Sequence, residues 1–413
     1  MLKLNKTNTK LSSVLEHVFV FVGDILPYGV IFLMTIFIGF KHGLETSGLF
    51  SLVYVYVALV TGVVCGPSLL SIRRRMPTAK SPGAVVLAAL TLRSGIIFIG
   101  ATFVVIVFVT TETRSEVIGL MLLLFIGRLF ETSVDCPAIS VQYLRGAWDY
   151  CVLRIAVFSL ISAVISLALF TFDTKYPLIS IATGYVLGSF LAFFFTTWVA
   201  HKLLLPATNI PLEFRGQLRE FKSFFLATAL FLAASRLHPI IIGFFYGSIL
   251  AGQFAVIQNL FAALALAATG VSSVFFWSQN RKAATGQLTF EVPWPWMIGA
   301  LFGGLMLGGT GAFVIDFLYL RPLQSSIELL TAHWILCLSI PFLLSQSIIS
   351  NLLVLQKRDH HMLMLSILNA LIGLCIIVVF VHNFGIVGAS LSIGTTALIA
   401  TIIGIIMVRR SYE

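Results

Sequence analysis

Apolar residues run along this chain in blocks of about 20, the length a helix needs to cross roughly 30 Å of hydrocarbon. Twelve blocks meet that length, over residues 16–40, 47–70, 84–109, 115–136, 150–171, 177–200, 223–246, 249–275, 294–319, 328–355, 361–382 and 385–408. The connectors between them are too short to fold alone. The pattern predicts an all-α polytopic membrane protein whose whole length builds one bundle, without a soluble domain. Lys3, Lys6 and Lys10 precede the first block as in a signal peptide, but the block runs past Phe37 without a small-residue cleavage site. It therefore reads as a retained first span.

The blocks fall into two similar sets. IGFKHGLETSGLF, Ile38 to Phe50, aligns without gaps to IGFFYGSILAGQF, Ile242 to Phe254, at an offset of 204 residues and with six identities in thirteen positions. The same offset pairs Gly66 with Gly270 and Gly184 with Gly388. Both copies fall at the turn between the first two spans of a six-span unit, so the two units run the same way through the membrane. Such parallel repeats occur in transporters that open alternately to either side. The units are residues 1–210 and 223–413, joined by a linker over 211–222. Around the linker, Leu212, Phe214, Leu218 and Phe221 interleave with Arg215, Arg219 and Lys222, which predicts an amphipathic helix on the inner leaflet.

Composition agrees: 59% of the 413 residues are apolar and 10% charged, against about a quarter charged in soluble domains. The net charge of +10 does not point to nucleic acid, because 18 of the 26 Lys and Arg collect on one side of the predicted spans, among them Arg73, Arg74, Arg75, Arg215, Arg358 and Arg409. Lys41, Arg114, Lys175 and Arg321 fall on the other. Basic loops stay in the cytoplasm, which places both termini there. Cys65, Cys136, Cys151, Cys337 and Cys375 are scattered and read as small apolar core residues.

Four arginines, Arg93, Arg128, Arg154 and Arg236, fall inside spans. The fourth span has eleven uninterrupted apolar residues, Val117 to Gly127, so its crossing has to continue through Arg128 and Glu131. Spacings of three and seven put Arg128, Glu131 and Asp135 within about 60° of one helical face, and charges at that depth face a bundle interior or a water-filled cavity. A helix-stapling Arg128–Glu131 pair, with Asp135 reaching the interface, fits equally well. Asp24 lies about 12 Å along the first span, three residues before Pro27, where a kink is expected. Arg93 and Arg236 fall near mid-membrane, whereas Arg154 is close enough to the cytoplasmic end to snorkel. His238, beside Pro239, reads as a hydrogen-bonded structural residue or, with Asp24 or Glu131, as a proton-coupling group. Four guanidinium groups against three acids describe a slightly cationic cavity. A planar fork of donors that keeps its charge suits a phosphate or pyrophosphate.

The sequence has no nucleotide-phosphate loop, no spacing for a metal, no implied cofactor and no nucleophile with its base, so an enzyme is not expected.

IIIGFFYGSILAGQFAVIQNLF (Ile240 to Phe261), LLVLQKRDHHMLMLSILNALIGL (Leu352 to Leu374), the following HNFGIVGASLSIG and YLRGAWDYCVLR (Tyr143 to Arg154) together resemble the Wzx-type polysaccharide (O-antigen) flippases of the MOP superfamily. An Asp common in that family's seventh span is replaced here by His238. The resemblance implies V-shaped alternating access between two six-helix lobes. It further implies movement of an undecaprenyl-pyrophosphate-linked oligosaccharide across a bacterial inner membrane, among membrane lipids and other polysaccharide-assembly proteins. Arg93, Arg128 and Arg236 would then contact the pyrophosphate, with Asp24 and Glu131 positioning them or the sugar. A MOP-type exporter of another lipid or an amphipathic drug is the alternative, and a membrane glycosyltransferase or polymerase a more distant one.

Overall fold

The computed structural model describes residues 9–111, 115–172, 177–205, 207–284, 292–356 and 358–410, and among these nearly every residue is helical and none lies in a strand. The first half of the chain is α1 (Thr9–Arg75), α2 (Pro82–Thr111), α3 (Ser115–Leu144), α4 (Ala147–Phe172) and α5 (Pro177–Leu204). The second is α6 (Ile210–Arg236), α7 (His238–Tyr246), α8 (Ser248–Ala284), α9 (Trp294–Ile315), α10 (Ile327–Leu338), α11 (Ile340–Leu355) and α12 (Asp359–Arg410).

Breaks in the helices turn these elements into crossings. At 67 and 52 residues, α1 and α12 are each too long for one crossing, and each is interrupted once by a glycine outside the helical region, Gly43 (φ 84°, ψ 169°) and Gly385 (φ 57°, ψ −135°). Each therefore crosses twice. Helices α6 and α7, which meet at Leu237, form one crossing, and α10 and α11, which meet at Ser339 just before Pro341, form another. The result is the predicted set of six crossings per half, with the first and last described residues on one side. Backbone dihedrals stay helical past Pro27, so the break in α1 comes at Gly43 rather than beside Asp24.

The internal repeat is visible atom by atom. Gly247 caps α7 with φ 89° and ψ 169°, the conformation of Gly43, its partner at offset 204. Only glycine occupies that region without a cost of about 1–3 kcal/mol. Gly48 and Gly252, also partners, lie back to back: a Cβ on Gly48 would sit 3.1 Å from the carbonyl carbon of Gly252. Gly66 receives Thr228 of α6, while its counterpart Gly270 receives Phe21 and Ile25 of α1. The offset carries position 228 to 24, between those two residues, so the contacts are related by the same pseudo-twofold. Each half has its own apolar core, one from Val30 to Leu204 and the other from Ile242 to Val408. Large apolar side chains such as Phe170, 90% exposed, cover the outside as a bilayer requires.

Along the seam, α1 meets the second half at both ends. Away from the termini, the Tyr319 hydroxyl donates to the Thr35 carbonyl at 3.1 Å and lies 3.4 Å from Ser47 Oγ, and the Phe40 ring meets Tyr319 edge to face. On the terminal side, Asn280 Nδ2 donates to the Arg73 carbonyl at 2.9 Å and His17 stands edge-on to Trp277. The segment 211–222 is helical, as its pattern predicts, but it continues unbroken into the seventh crossing. Its Gln217 and Phe221 are buried, and Arg75 at the end of α1 bridges Glu213 and Glu220 at 3.0 Å each.

Candidate functional site

The polar residues inside the first half form three groups rather than one cavity lining. At the centre, about 20 Å along α3 from its start, Arg128 Nη1 binds Glu131 Oε2 at 2.5 Å, one helical turn on. The Tyr185 hydroxyl of α5 donates to the same oxygen. The ring of Tyr185 lies where a side chain on Gly127 would stand, so glycine at 127 permits the approach. Glu131 is 4% exposed, and its Oε1 is buried with no hydrogen-bond partner among the described residues. Unmet acceptors of this kind are rare in protein interiors.

Tyr54 lies near this centre, within electrostatic reach of Tyr185. It is buried in the second crossing, stacked on Phe50, and feels the charges of Arg128, Glu131 and Arg236. Arg236, half-buried, ends α6 just before the break at Leu237. Arg128, Glu131 and Arg236 thus all lie within electrostatic reach of Tyr54, the two guanidinium groups belonging to different halves.

The second group lies toward the terminal side. Arg73 Nη2 grips both oxygens of Asp24 at 2.9 and 3.0 Å, the Tyr150 hydroxyl donates to Asp24, and Arg154 Nε donates to the Tyr150 oxygen at 3.2 Å. Arg154 Nη2 then binds Asp135 at 2.5 Å. Two arginines and two aspartates close a neutral chain joining both crossings of α1 with α3 and α4. Arg154 does not snorkel, because it is 5% exposed and its Nε and Nη2 are bonded inside. Asp135 turns inward to Arg154 instead of reaching the interface, and Asp24 belongs to this chain rather than to Arg128 and Glu131.

Arg93 forms the third group. It is fully buried and donates to Ser68 Oγ, to the Thr132 carbonyl at 2.5 Å and to the Cys65 carbonyl at 3.2 Å, stapling α2 to α1 and α3. It presents no surface to a ligand in this conformation. His238 is equally enclosed, in the other half: Nε2 lies 2.9 Å from Ser392 Oγ and the ring stacks on Phe254. The bond to Ser392 is the kind a hydrogen-bonded structural residue makes. Among the described cysteines four are buried, and Cys375 faces outward instead.

One buried acid escapes the sequence pattern. Asp316 is 4% exposed and opens a π-helical turn, Asp316–Leu320, held by Arg321 at 3.1 and 3.2 Å and by Trp334 Nε1 at 3.2 Å. An α-helix would set positions five apart about 140° away from each other. The π turn instead stacks them on one face. The same turn aims Tyr319 at the first half. Among the described residues no group of His, Cys, Asp and Glu is arranged to hold a metal ion.

Neither a protein-family model nor a curated protein matches the sequence. Solved structures match its fold over nearly the whole length. A mutant of the Vibrio cholerae MATE transporter VcmN superposes with a TM-score of 0.70 at 13% identity, covering 97% of this chain and 98% of that one. A MOP superfamily transporter from Pyrococcus furiosus, described as having a binding pocket of reverse polarity, gives 0.69 at 14% identity over 96% and 95%. An outward-facing multidrug resistance MATE transporter of the MOP superfamily gives 0.67 at 13% identity over 97% and 95%. The chain is a multi-pass α-helical membrane protein. Its fold is that of the MOP superfamily transporters, with two parallel six-helix halves.

Proposed function

We propose that this chain is an alternating-access flippase that moves an undecaprenyl-pyrophosphate-linked oligosaccharide from the inner to the outer leaflet of a bacterial inner membrane. The observation that carries the reading is that Arg128 and Arg236, from the two halves, both lie within electrostatic reach of buried Tyr54. A diphosphate offers several acceptor oxygens to planar guanidinium forks. A group held from both halves releases when the halves separate, which couples binding to the conformational cycle. Glu131 orients Arg128, and its unmatched Oε1 is an acceptor for a sugar hydroxyl. Residues 1–210 and 223–413 act as the two lobes, with both termini cytoplasmic and other polysaccharide-assembly membrane proteins as partners. Catalysis is no part of this role. In vesicles reconstituted with the chain, the lipid-linked sugar should become accessible to an impermeant glycosidase, and Arg236→Gln should abolish that access.

The fold match to multidrug transporters favours a second reading, export of an amphipathic drug or another lipid. It predicts changed compound susceptibility in cells and no effect on the lipid-linked sugar.

A further inference from the structure

On the face of the first half away from the termini, a cavity of about 510 Å³ opens between the first crossing and helices α4 and α5. Leu33, Phe37, Ile165, Leu169 and Ile181 wall it, and its polar members are Ser162, Ser166 and Lys41. From Val30 at one end to Lys41 at the other, the α1 wall is about 16 Å long at 1.5 Å per residue. That is half of the roughly 30 Å hydrocarbon layer, the depth of one leaflet. The slot runs from near mid-membrane at Val30 to the interface at Lys41.

Lys41 is exposed, and its Nζ stands 5.7 Å from the Phe37 ring centroid, which holds the ammonium over the mouth of the slot. It is one of four bases on the side that the chain otherwise keeps poor in Lys and Arg. An apolar slot one leaflet deep, with a cation at its interfacial end, matches a single-tailed length of lipid beneath a phosphate.

We propose that this slot is a fixed site for one anionic glycerophospholipid of the leaflet opposite the termini, one acyl chain filling the groove and its phosphate held by Lys41. A 55-carbon isoprenoid is far longer than the groove, which favours a resident phospholipid over the tail of the proposed cargo. Phe40, which also lines the groove, packs on Tyr319, so the lipid borders the seam where the halves touch. The site stands whether or not the transport reading does.

Native mass spectrometry of the full chain in detergent, titrated with phosphatidylglycerol and phosphatidylcholine of identical 16- and 18-carbon tails, tests it. The bases near the termini also retain anionic lipid, so the reading is the difference between wild type and Lys41→Gln. Wild type should hold one phosphatidylglycerol several-fold more tightly than phosphatidylcholine. Lys41→Gln should lose that preference at the first site, and Ser166→Phe, which plugs the groove from an exposed position, should lose the first bound lipid of either kind. Equal binding of the two lipids by wild type, or an unchanged preference in Lys41→Gln, overturns the site. Displacement of phosphatidylglycerol one for one by undecaprenyl phosphate overturns the assignment to a phospholipid.

Discussion

The chain from Arg73 through Asp24, Tyr150 and Arg154 to Asp135 is the clearest place to separate scaffold from ligand contact. Arg154 is 6% and Asp135 19% exposed by side chain, with 2.5 Å between them. Removing one partner of a buried pair leaves an uncompensated charge and costs about 3–5 kcal/mol. Partial exposure of Asp135 argues for the lower end, about 3 kcal/mol for Arg154→Met. Replacing both by apolar residues of similar size is often close to neutral, so Arg154→Met with Asp135→Leu should cost no more than about 1 kcal/mol. Asp135→Leu alone strands Arg154, with Tyr150 as its one remaining polar contact in this chain, and should cost about as much as the other single change. The double-mutant cycle should therefore show strong coupling, on the order of 3–5 kcal/mol, far above the few tenths expected of independent sites. The assay is unfolding in mixed micelles followed by tryptophan fluorescence, with lipid-linked sugar translocation measured on the same preparations. Additive single effects, or a double variant that is stable but inactive, would refute the assignment of this network to structure.

Further outcomes follow from the seam and the repeat. Gly43→Ala and Gly247→Ala should each destabilise by about 1–3 kcal/mol, because both positions require a backbone region reserved for glycine. A stability scan finding only one of them sensitive would argue that the two turns are not equivalent. Tyr319→Phe removes a buried hydroxyl bonded across the seam, worth about 1 kcal/mol or roughly a five-fold shift in population. Spin-label distances between the halves on the side away from the termini should lengthen on average in that variant, and an unchanged distribution would mean that Tyr319 does not hold the seam.

Features set by local chain geometry were legible in the sequence. Span length forced Arg128 and Glu131 into the bilayer, and their i,i+3 spacing is the pair the structure contains. The glycines of the repeat announced their conformation, since a turn between crossings with φ near +85° admits little else. Contacts made through space were not legible. Arg73 reads as a loop base by the positive-inside rule, and nothing local tells that it folds back onto Asp24, 49 residues earlier. Arg154 looks free to snorkel until Tyr150 and Asp135 are seen to satisfy it inside. Asp316 and Arg321 are matched by a π turn that a 3.6-residue period does not anticipate. In the 211–222 segment the alternation of apolar and basic residues drew the eye to the membrane surface, while the acids that fasten it to Arg75 carried its position.

The central claim is that Arg128 and Arg236 hold a diphosphate between the two halves. Its most direct test is the rate at which an undecaprenyl-pyrophosphate-linked oligosaccharide crosses proteoliposomes containing wild type, Arg128→Lys or Arg236→Gln. Arg128→Lys keeps the charge beside Glu131 and removes the planar fork. Wild type should accelerate crossing well above protein-free vesicles, and each variant should fall at least about ten-fold, the loss of one charge-assisted hydrogen bond or more. No acceleration by wild type, or undiminished rates in both variants, would contradict it.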